Sequence, residues 1–327
     1  MQCRTCVIPM LLLVGLLSAV GCTQRSTVTP KPQKLQVTVS IPPQKYFVER
    51  IGNGYVTVNV MVPPGAEPHT FEPKPEQLKA LSRSSAYLRI QMDFEQAWMD
   101  KFIAANPKML IVDTTQGIQR LPLAGGLHGQ EKTSTAHPGE NLDPHIWLSP
   151  RLVKVQAQTI QTALAQLDPP HKAAYQANLR QFLADIDALD QEIRTTLKGV
   201  KNRKFIVFHP SWGYFARDYQ LEQIPIEVGG QEPSAAELAA LIVRAKQDQI
   251  KVVFAEPQFS QKTADTIARE IGGEVLLIDP LSPNWATNLR TVAQTFSRVL
   301  SQTLVTYPCI FRDKATRPIL GESNTAL

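Results

Sequence analysis

Three of the six histidines in this 327-residue chain stand where their side chains could bind a metal ion. His69 follows a β-rich run in the segment GAEPHTFEP, His145 stands in DPHIWL, and His209 follows the apolar run FIVF. Asp279 follows another such run, EVLLI. Three neutral imidazoles and one carboxylate suit a four-coordinate ion such as Zn²⁺, whereas Mg²⁺ and Ca²⁺ prefer more oxygen ligands.

The positions of these four residues along the chain favour one shared site. His69, His209 and Asp279 each follow a predicted strand, and His145 stands at the entry of a predicted helix. Loops beyond the carboxyl ends of strands in open α/β sheets converge on the ligand crevice. A lone histidine at a strand end is more often a core or turn residue, but three in comparable positions make a joint metal site the better interpretation.

Three further residues have a possible supporting role. Glu256 directly follows the run KVVFA. It could orient a ligand imidazole, or could be stabilised at the N-terminus of the following helix. His128 and His137 lie in the Gly-rich polar stretch 123–141. They could collect metal and pass it inward, or belong to a solvated loop, and the sequence leaves both interpretations open.

Short β-rich runs alternate with helical patterns along the chain, which predicts an α/β fold with parallel sheets. Several runs are almost entirely apolar, as expected for strands that are buried on both faces. The predicted strands cover residues 35–41, 56–62, 86–91, 109–113, 205–208, 224–228, 251–255 and 274–278. Helical patterns between them include residues 94–106, 150–167, 234–248 and 263–271.

One segment interrupts this alternation. Between residues 171 and 200 the apolar residues are spaced three or four apart, which predicts a single long amphipathic helix after Pro169 and Pro170. Four predicted strands precede this helix and four follow it. We therefore expect two lobes with parallel sheets joined by one long rigid helix (169–200), with the metal site between the lobes. The lobes would cover residues 35–168 and 201–305, followed by a tail at 306–327.

The N-terminus predicts export. Arg4 precedes an apolar run of residues 7–20, which is shorter than the roughly 20 residues of a membrane-spanning helix and is typical of a signal peptide over residues 1–21. Cys22 follows Ala-Val-Gly, a pattern similar to the bacterial lipobox, so we expect lipidation of Cys22. An uncleaved anchor is the alternative. Residues 22–34 are polar and contain proline, as in a flexible tether.

Composition and missing motifs exclude several classes of protein. The net charge of +5 is mild, and no Lys/Arg cluster is interleaved with aromatic residues, which argues against nucleic acid binding. Three of the four cysteines lie within residues 1–22, so Cys309 is the only one in the rest of the chain. A Cys-rich zinc site or a disulfide scaffold is therefore excluded. The sequence has no H-E-x-x-H pair and no G-x-S-x-G turn, which argues against a hydrolase. It has no Walker A loop, so any ATPase must be a separate polypeptide.

Five blocks carry a family resemblance: GAEPHTFEPKPEQL, DPHIWLSP, FHPSWGYFARDY, FAEPQFS and LIDPL. In this order they resemble the metal-specific solute-binding proteins of bacterial zinc/manganese ABC transporters, from about residue 35 to 304. The resemblance implies two α/β lobes on one rigid helix and metal ligands at His69, His145, His209 and Asp279. The manganese branch usually has Glu where this chain has His209, and an imidazole favours Zn²⁺.

The resemblance implies high-affinity capture of Zn²⁺ outside the cytoplasmic membrane by a lipid-anchored monomer, in the periplasm or on the outer face of that membrane. The ion would be delivered to a membrane permease that a separate cytoplasmic ATPase drives. Many zinc-specific members of the family carry a loop dense in His and acidic residues before the second ligand, whereas the stretch 123–141 holds only His128 and His137. Binding of Mn²⁺, or of both metals, is therefore the alternative within the family. A secreted zinc hydrolase with Asp279 or Glu256 as general base is the alternative from another class, and an adhesin has no sequence feature in its favour.

Overall fold

The computed structural model describes Gln2 and residues 34–123 and 142–301. Apart from Gln2, the predicted signal peptide lies outside these residues, and so does the tether up to residue 33 with Cys22. His128, His137 and the predicted C-terminal tail also lie outside them. Predictions for those segments stay predictions.

The described residues contain two parallel sheets of four strands each. The strands of the first sheet are β1 (Leu35–Val39), β2 (Val56–Val60), β3 (Ala86–Arg89) and β4 (Leu110–Asp113). The strands of the second are β5 (Lys204–Val207), β6 (Glu222–Pro225), β7 (Val252–Ala255) and β8 (Glu274–Leu277). The strand orders are β2-β1-β3-β4 and β6-β5-β7-β8, so both sheets have the same topology.

Helices connect the parallel strands. Those of the first lobe are α1 (Pro42–Gly52), α2 (Pro75–Leu81), α3 (Asp93–Ala105) and α4 (Pro150–Leu167). The long α5 (Lys172–Leu197) follows, and the second lobe contains α6 (Gly213–Asp218), α7 (Ala235–Gln247), α8 (Lys262–Ile271) and α9 (Trp285–Leu300). All eight predicted strands and the four predicted helices are present, with ends that differ by at most three residues. None of the helices in the described part of the chain has the length and apolar character needed to traverse a bilayer.

The apolar runs of β5 and β7 are buried on both faces, as predicted. The prediction was wrong for β8, the edge strand of its sheet, in which Glu274 and Leu277 are exposed. In and just after β5, Phe205 and Val207 enter one apolar cluster, whereas Ile206 and Phe208 enter another on the opposite face. This follows from the two-residue period of a strand, in which successive side chains point to opposite faces. The first cluster, here called the main core, includes residues of both sheets.

Helix α5 joins the two lobes through the main core. It is 26 residues long and begins after a 3₁₀ turn at Pro169–His171. Its buried stripe includes Tyr175, Phe182 and Ile186, and the helix packs against α1 and α4 of the first lobe and against α9 of the second. Burial of each large apolar side chain contributes about 1.5–3 kcal/mol, so this stripe holds the helix firmly between the lobes. The predicted α/β architecture with one long joining helix is confirmed.

Candidate metal centre

The three histidines singled out in the sequence meet between the lobes. His69 lies in the loop after β2, His145 directly precedes a 3₁₀ turn (Ile146–Leu148), and His209 follows β5 by two residues. The Nε2 atom of His209 lies 3.2 Å from Nε2 of His69 and 3.2 Å from Nε2 of His145. Ligand atoms of all three lie within 4.8 Å of one another, and no other such group of His, Cys, Asp or Glu occurs in the described residues.

Each imidazole has a carboxylate on its other ring nitrogen. His69 Nδ1 lies 2.9 Å from Asp93, which begins α3. His145 Nδ1 lies 2.7 Å from Asp143 Oδ1. His209 Nδ1 lies 2.6 Å from Glu227, just beyond the end of β6. A carboxylate that accepts the Nδ1 proton fixes the tautomer and leaves the Nε2 lone pair available for a metal ion.

Burial keeps two of the rings neutral. Desolvation lowers the pKa of His209 to about 4, although its hydrogen bond with Glu227 acts in the opposite direction. Desolvation, together with the nearby His69 ring, lowers the pKa of His145 well below its usual value. Burial also opposes protonation of His69, but the hydrogen bond with Asp93 and the charge of Glu67 raise its pKa overall. Neutral imidazole is the form that binds metal.

The cluster has an apolar surround. The ring of Phe259 stacks on that of His209 with 5.0 Å between centroids. Trp147 lies against His145, with 5.2 Å between ring centroids. The cavity at the three histidines is also lined by Pro68, Gln258, Pro280 and Leu281. Exclusion of water by such groups strengthens the interaction of the nitrogens with a cation.

Asp279 lies beside this cavity and outside the histidine cluster. It follows β8 by two residues, as the sequence predicted, but its carboxylate does not lie within 4.8 Å of all three histidines. Its Oδ1 atom accepts hydrogen bonds from Gln258 Nε2 and from the backbone N–H of Leu281, each at 2.9 Å. Gln258 and Leu281 line the cavity, so Asp279 is one residue removed from it. Its role as a ligand stays a prediction.

Glu256 supports His209 through the backbone. It is fully buried after β7, and its Oε2 accepts the backbone N–H of His209 at 3.2 Å. The ring of His209 is bonded instead to Glu227. Desolvation raises the pKa of Glu256 well above its usual value. Glu256 thus holds the main chain of the His209 loop, while another carboxylate orients the imidazole.

Sequence reasoning missed the three carboxylates that contact the rings. Glu227 fell inside a predicted strand (224–228), but β6 ends at Pro225 and leaves Glu227 beyond the strand end. Asp143 stands in the same DPHIW segment as His145, and this spacing of two residues was the available signal. Asp93 lies 24 residues from His69, and its pairing depends on how α3 packs beside the His69 loop.

Two α/β lobes with parallel sheets are joined by a long helix and hold three imidazoles between them. These features define a solute-binding protein for a transition-metal ion. The chain belongs to the family of the periplasmic zinc-uptake complex component A, whose family model matches residues 37–303. Membership makes it a component of zinc uptake and not an enzyme, and the hydrolase alternative is not supported. Zinc uptake by such a complex implies a membrane permease and an ATPase as partners.

Known proteins agree with this assignment. The high-affinity zinc uptake system protein ZnuA of Bacillus subtilis (strain 168) is 30% identical over 259 residues, which cover 77% of this chain and 80% of that protein. A crystal structure of ZnuA is 51% identical, with a TM-score of 0.76 over 82% of this chain and 100% of that one. The laminin binding protein of Streptococcus agalactiae is 23% identical, with a TM-score of 0.71 over 82% of this chain and 100% of that one, and shares the fold.

Proposed function

We propose that the chain captures Zn²⁺ with His69, His145 and His209 and releases it to its permease. The observation that supports this ligand set is the convergence of three Nε2 atoms whose partner nitrogens are each bonded to a carboxylate. Asp279 is the proposed fourth ligand, since it stands in the loop next to the cavity. Four protein ligands without an open position suit a site that binds and carries zinc.

The donor set favours Zn²⁺ over Mn²⁺. Imidazole suits zinc, whereas carboxylate, carbonyl and water suit manganese, and intrinsic affinity also rises from Mn²⁺ to Zn²⁺. Three of the four proposed ligands are imidazoles, and the three histidines are the ones that the structure brings together. The apolar side chains around it leave little room for the extra water ligands that Mn²⁺ commonly keeps.

Membrane attachment is a separate part of the proposal. We propose that residues 1–21 are removed, that Cys22 is lipidated, and that residues 22–34 tether a monomer to the membrane. The proposed domain boundaries stay at 35–168, 169–200 and 201–305, with a tail at 306–327. The short apolar run before Cys22 and the polar composition after it support this division. The stretch with His128 and His137 would be an accessory metal-collecting loop.

A competition titration tests the metal assignment. The chain from Lys34 onward would be stripped of metal, offered Zn²⁺ and Mn²⁺ together, and analysed for bound metal after gel filtration. We expect one tightly bound Zn²⁺ per chain and no Mn²⁺. Equal retention of both ions would establish a broader metal importer, and retention of neither would overturn the proposed site.

A pair of histidine variants tests the ligand assignment. His209→Ala should weaken zinc binding by roughly hundredfold or more, because loss of a ligand exceeds the effect of losing one of its partners. His171→Ala is the matched control, since His171 bonds Asp168 and stacks on Tyr55 away from the cluster. Unchanged zinc binding in His209→Ala would remove His209 from the site.

A further inference from the structure

Asp143 is held tightly where it meets His145. Its Oδ1 atom accepts from the backbone N–H of His145 at 2.8 Å and lies 2.7 Å from the ring Nδ1. Its own backbone N–H donates to Leu121 O at 2.8 Å. Asp143 and His145 are both buried. Any shift of the Asp143 carboxylate therefore changes the orientation of the His145 ring.

The second lobe contacts this segment through Tyr214 in α6. The Tyr214 hydroxyl donates to the backbone carbonyl of Asp143 at 2.8 Å and accepts the backbone N–H of Leu121 at 2.9 Å. The Tyr214 side chain is fully buried and packs in a small apolar cluster with Ile146 and Leu152. Burial raises the pKa of Tyr214 to about 12, so the hydroxyl keeps the proton that it donates.

The neighbouring residue, Gly213, leaves room for the same carboxylate. A Cβ atom at Gly213 would stand 3.0 Å from Asp143 Oδ2, which is closer than ordinary van der Waals contact. The other oxygen of Asp143 is engaged by His145, so the carboxylate cannot move aside without loosening the ring. Two adjacent residues of α6 thus act on Asp143. Tyr214 bonds its backbone carbonyl, and Gly213 leaves space for its carboxylate.

We propose that Gly213 and Tyr214 of the second lobe are positioning residues for the metal site, which hold Asp143 and through it set the orientation of His145. This inference rests on the proposed role of His145 as a zinc ligand. It makes the ligand geometry of the first lobe depend on contacts made by the second. Neither residue touches the metal ion.

The Tyr214→Phe variant removes one hydroxyl and leaves two backbone groups, the half-buried Leu121 N–H and the buried Asp143 C=O, without that partner. We expect zinc affinity to fall roughly tenfold, at the low end of what loss of a ligand's supporting partner costs. The matched control is Tyr175→Phe, which removes a tyrosine hydroxyl bonded to Asp168 at 2.6 Å and remote from the cluster. Tyr175→Phe should bind zinc as the parent does.

Gly213→Ala tests the steric part of the same proposal. We expect weaker zinc binding together with a changed visible absorption spectrum of the Co²⁺-loaded protein, which reports ligand geometry. Gly199→Ala is its control, because nothing lies within 4 Å of an added Cβ there. Parent-like zinc affinity and an unchanged Co²⁺ spectrum in both Tyr214→Phe and Gly213→Ala would overturn the proposal.

A measurement without metal separates this inference from the proposed function. In the proton NMR spectrum of the zinc-free chain, the resonance of the His145 Nδ1–H is identified by its loss in His145→Ala. Its chemical shift should change in Tyr214→Phe and stay unchanged in Tyr175→Phe. If the parent chain binds no zinc, the proposed function fails, and this resonance still decides whether Tyr214 positions His145. An unchanged resonance in Tyr214→Phe would contradict the positioning role.

Discussion

Trp285 donates its indole N–H to the backbone carbonyl of Trp147 across 2.6 Å. Trp147 in turn donates its own indole N–H to Pro280 O at 2.7 Å, and both rings are buried. Trp147 stands two residues after His145, whereas Pro280 lies in the loop before α9 and Trp285 is the first residue of that helix in the second lobe. One bond therefore joins the His145 segment to the loop that carries Asp279, and the other joins it to the start of α9.

Replacing Trp147 by Phe should destabilise this junction. The variant leaves the Pro280 carbonyl without its buried donor and reduces the ring volume, so we expect the free energy of unfolding to fall by about 1–3 kcal/mol. Urea unfolding of the metal-free chain measures the change. Trp98→Phe is the control, because Trp98 is half-buried and stacks on Phe102 within the first lobe. An equal loss in both variants would contradict a special role for the junction.

The carboxylates on Nδ1 should differ in their effect on zinc affinity. The side chain of Glu227 is 7% exposed and that of Asp93 is 68% exposed, so solvent weakens the support that Asp93 gives to His69. We expect Glu227→Ala to lower zinc affinity by roughly 10–100-fold and Asp93→Ala by less. Calorimetric titration in the presence of a competing chelator measures both.

Glu222→Ala serves as the control for Glu227→Ala. Glu222 is the first residue of β6, the strand that Glu227 follows, and it pairs with Arg244 on the surface. Its removal should leave zinc affinity unchanged. A larger loss in Asp93→Ala than in Glu227→Ala would show that burial does not decide the strength of these pairs.

Glu256 should make stability depend on pH. Burial raises its pKa in the folded chain above the ordinary value of 4.5, so the folded state binds this proton more tightly than the unfolded state. Its contribution is then fully present below about pH 4.5 and is lost as the pH rises toward the folded pKa. Glu256→Gln has no proton to lose and keeps an acceptor for the His209 N–H.

We therefore expect the stability of Glu256→Gln, relative to the parent, to improve as the pH is raised. Urea unfolding of both metal-free chains at about pH 5 and about pH 8 measures this difference. Parallel pH profiles for the two chains would show that the Glu256 carboxyl does not change its protonation on unfolding.

Zinc should stabilise the whole described domain. A ligand that binds the folded chain alone adds about 4 kcal/mol at a free concentration a thousandfold above Kd. Because the histidines come from both lobes, we expect one calorimetric transition that moves to higher temperature as Zn²⁺ is added. His69→Ala should reduce the shift. Two transitions of which one moves would contradict coupling of the lobes through the site.

The sequence predicted the strands well because short apolar runs leave a clear pattern, which is clearest in the central strands. All four residues of β7 (VVFA) are buried, and no helical period competes with such a short apolar run. The stripe of α5 was equally clear, since its residues face the main core at helical spacing. Strand ends were less exact, because the last residue of a strand and the first of its loop can both be apolar.

The sequence predicted the three histidines of the candidate site, because strand order and strand ends determine where their loops lie. His69 and His209 follow the carboxyl ends of strands, where ligand sites are expected, and the structure brings both to His145. The partner of each ring was not predictable in the same way. Glu256 and Glu227 both follow strands of the second sheet, and the packing of their loops decides that Glu227 contacts the His209 ring while Glu256 contacts its backbone.

The main core has a consequence for how such proteins diversify. Aromatic residues of α1, α5 and α9 contact one another there, as Phe47, Phe182 and Trp285 do. A chimera that exchanged one lobe for that of a distant relative would have to keep matching shapes on both sides of α5. Recombination at the helix is therefore a poor route to a new metal preference. Substitutions in the loops that carry the histidines would leave this shared interior intact.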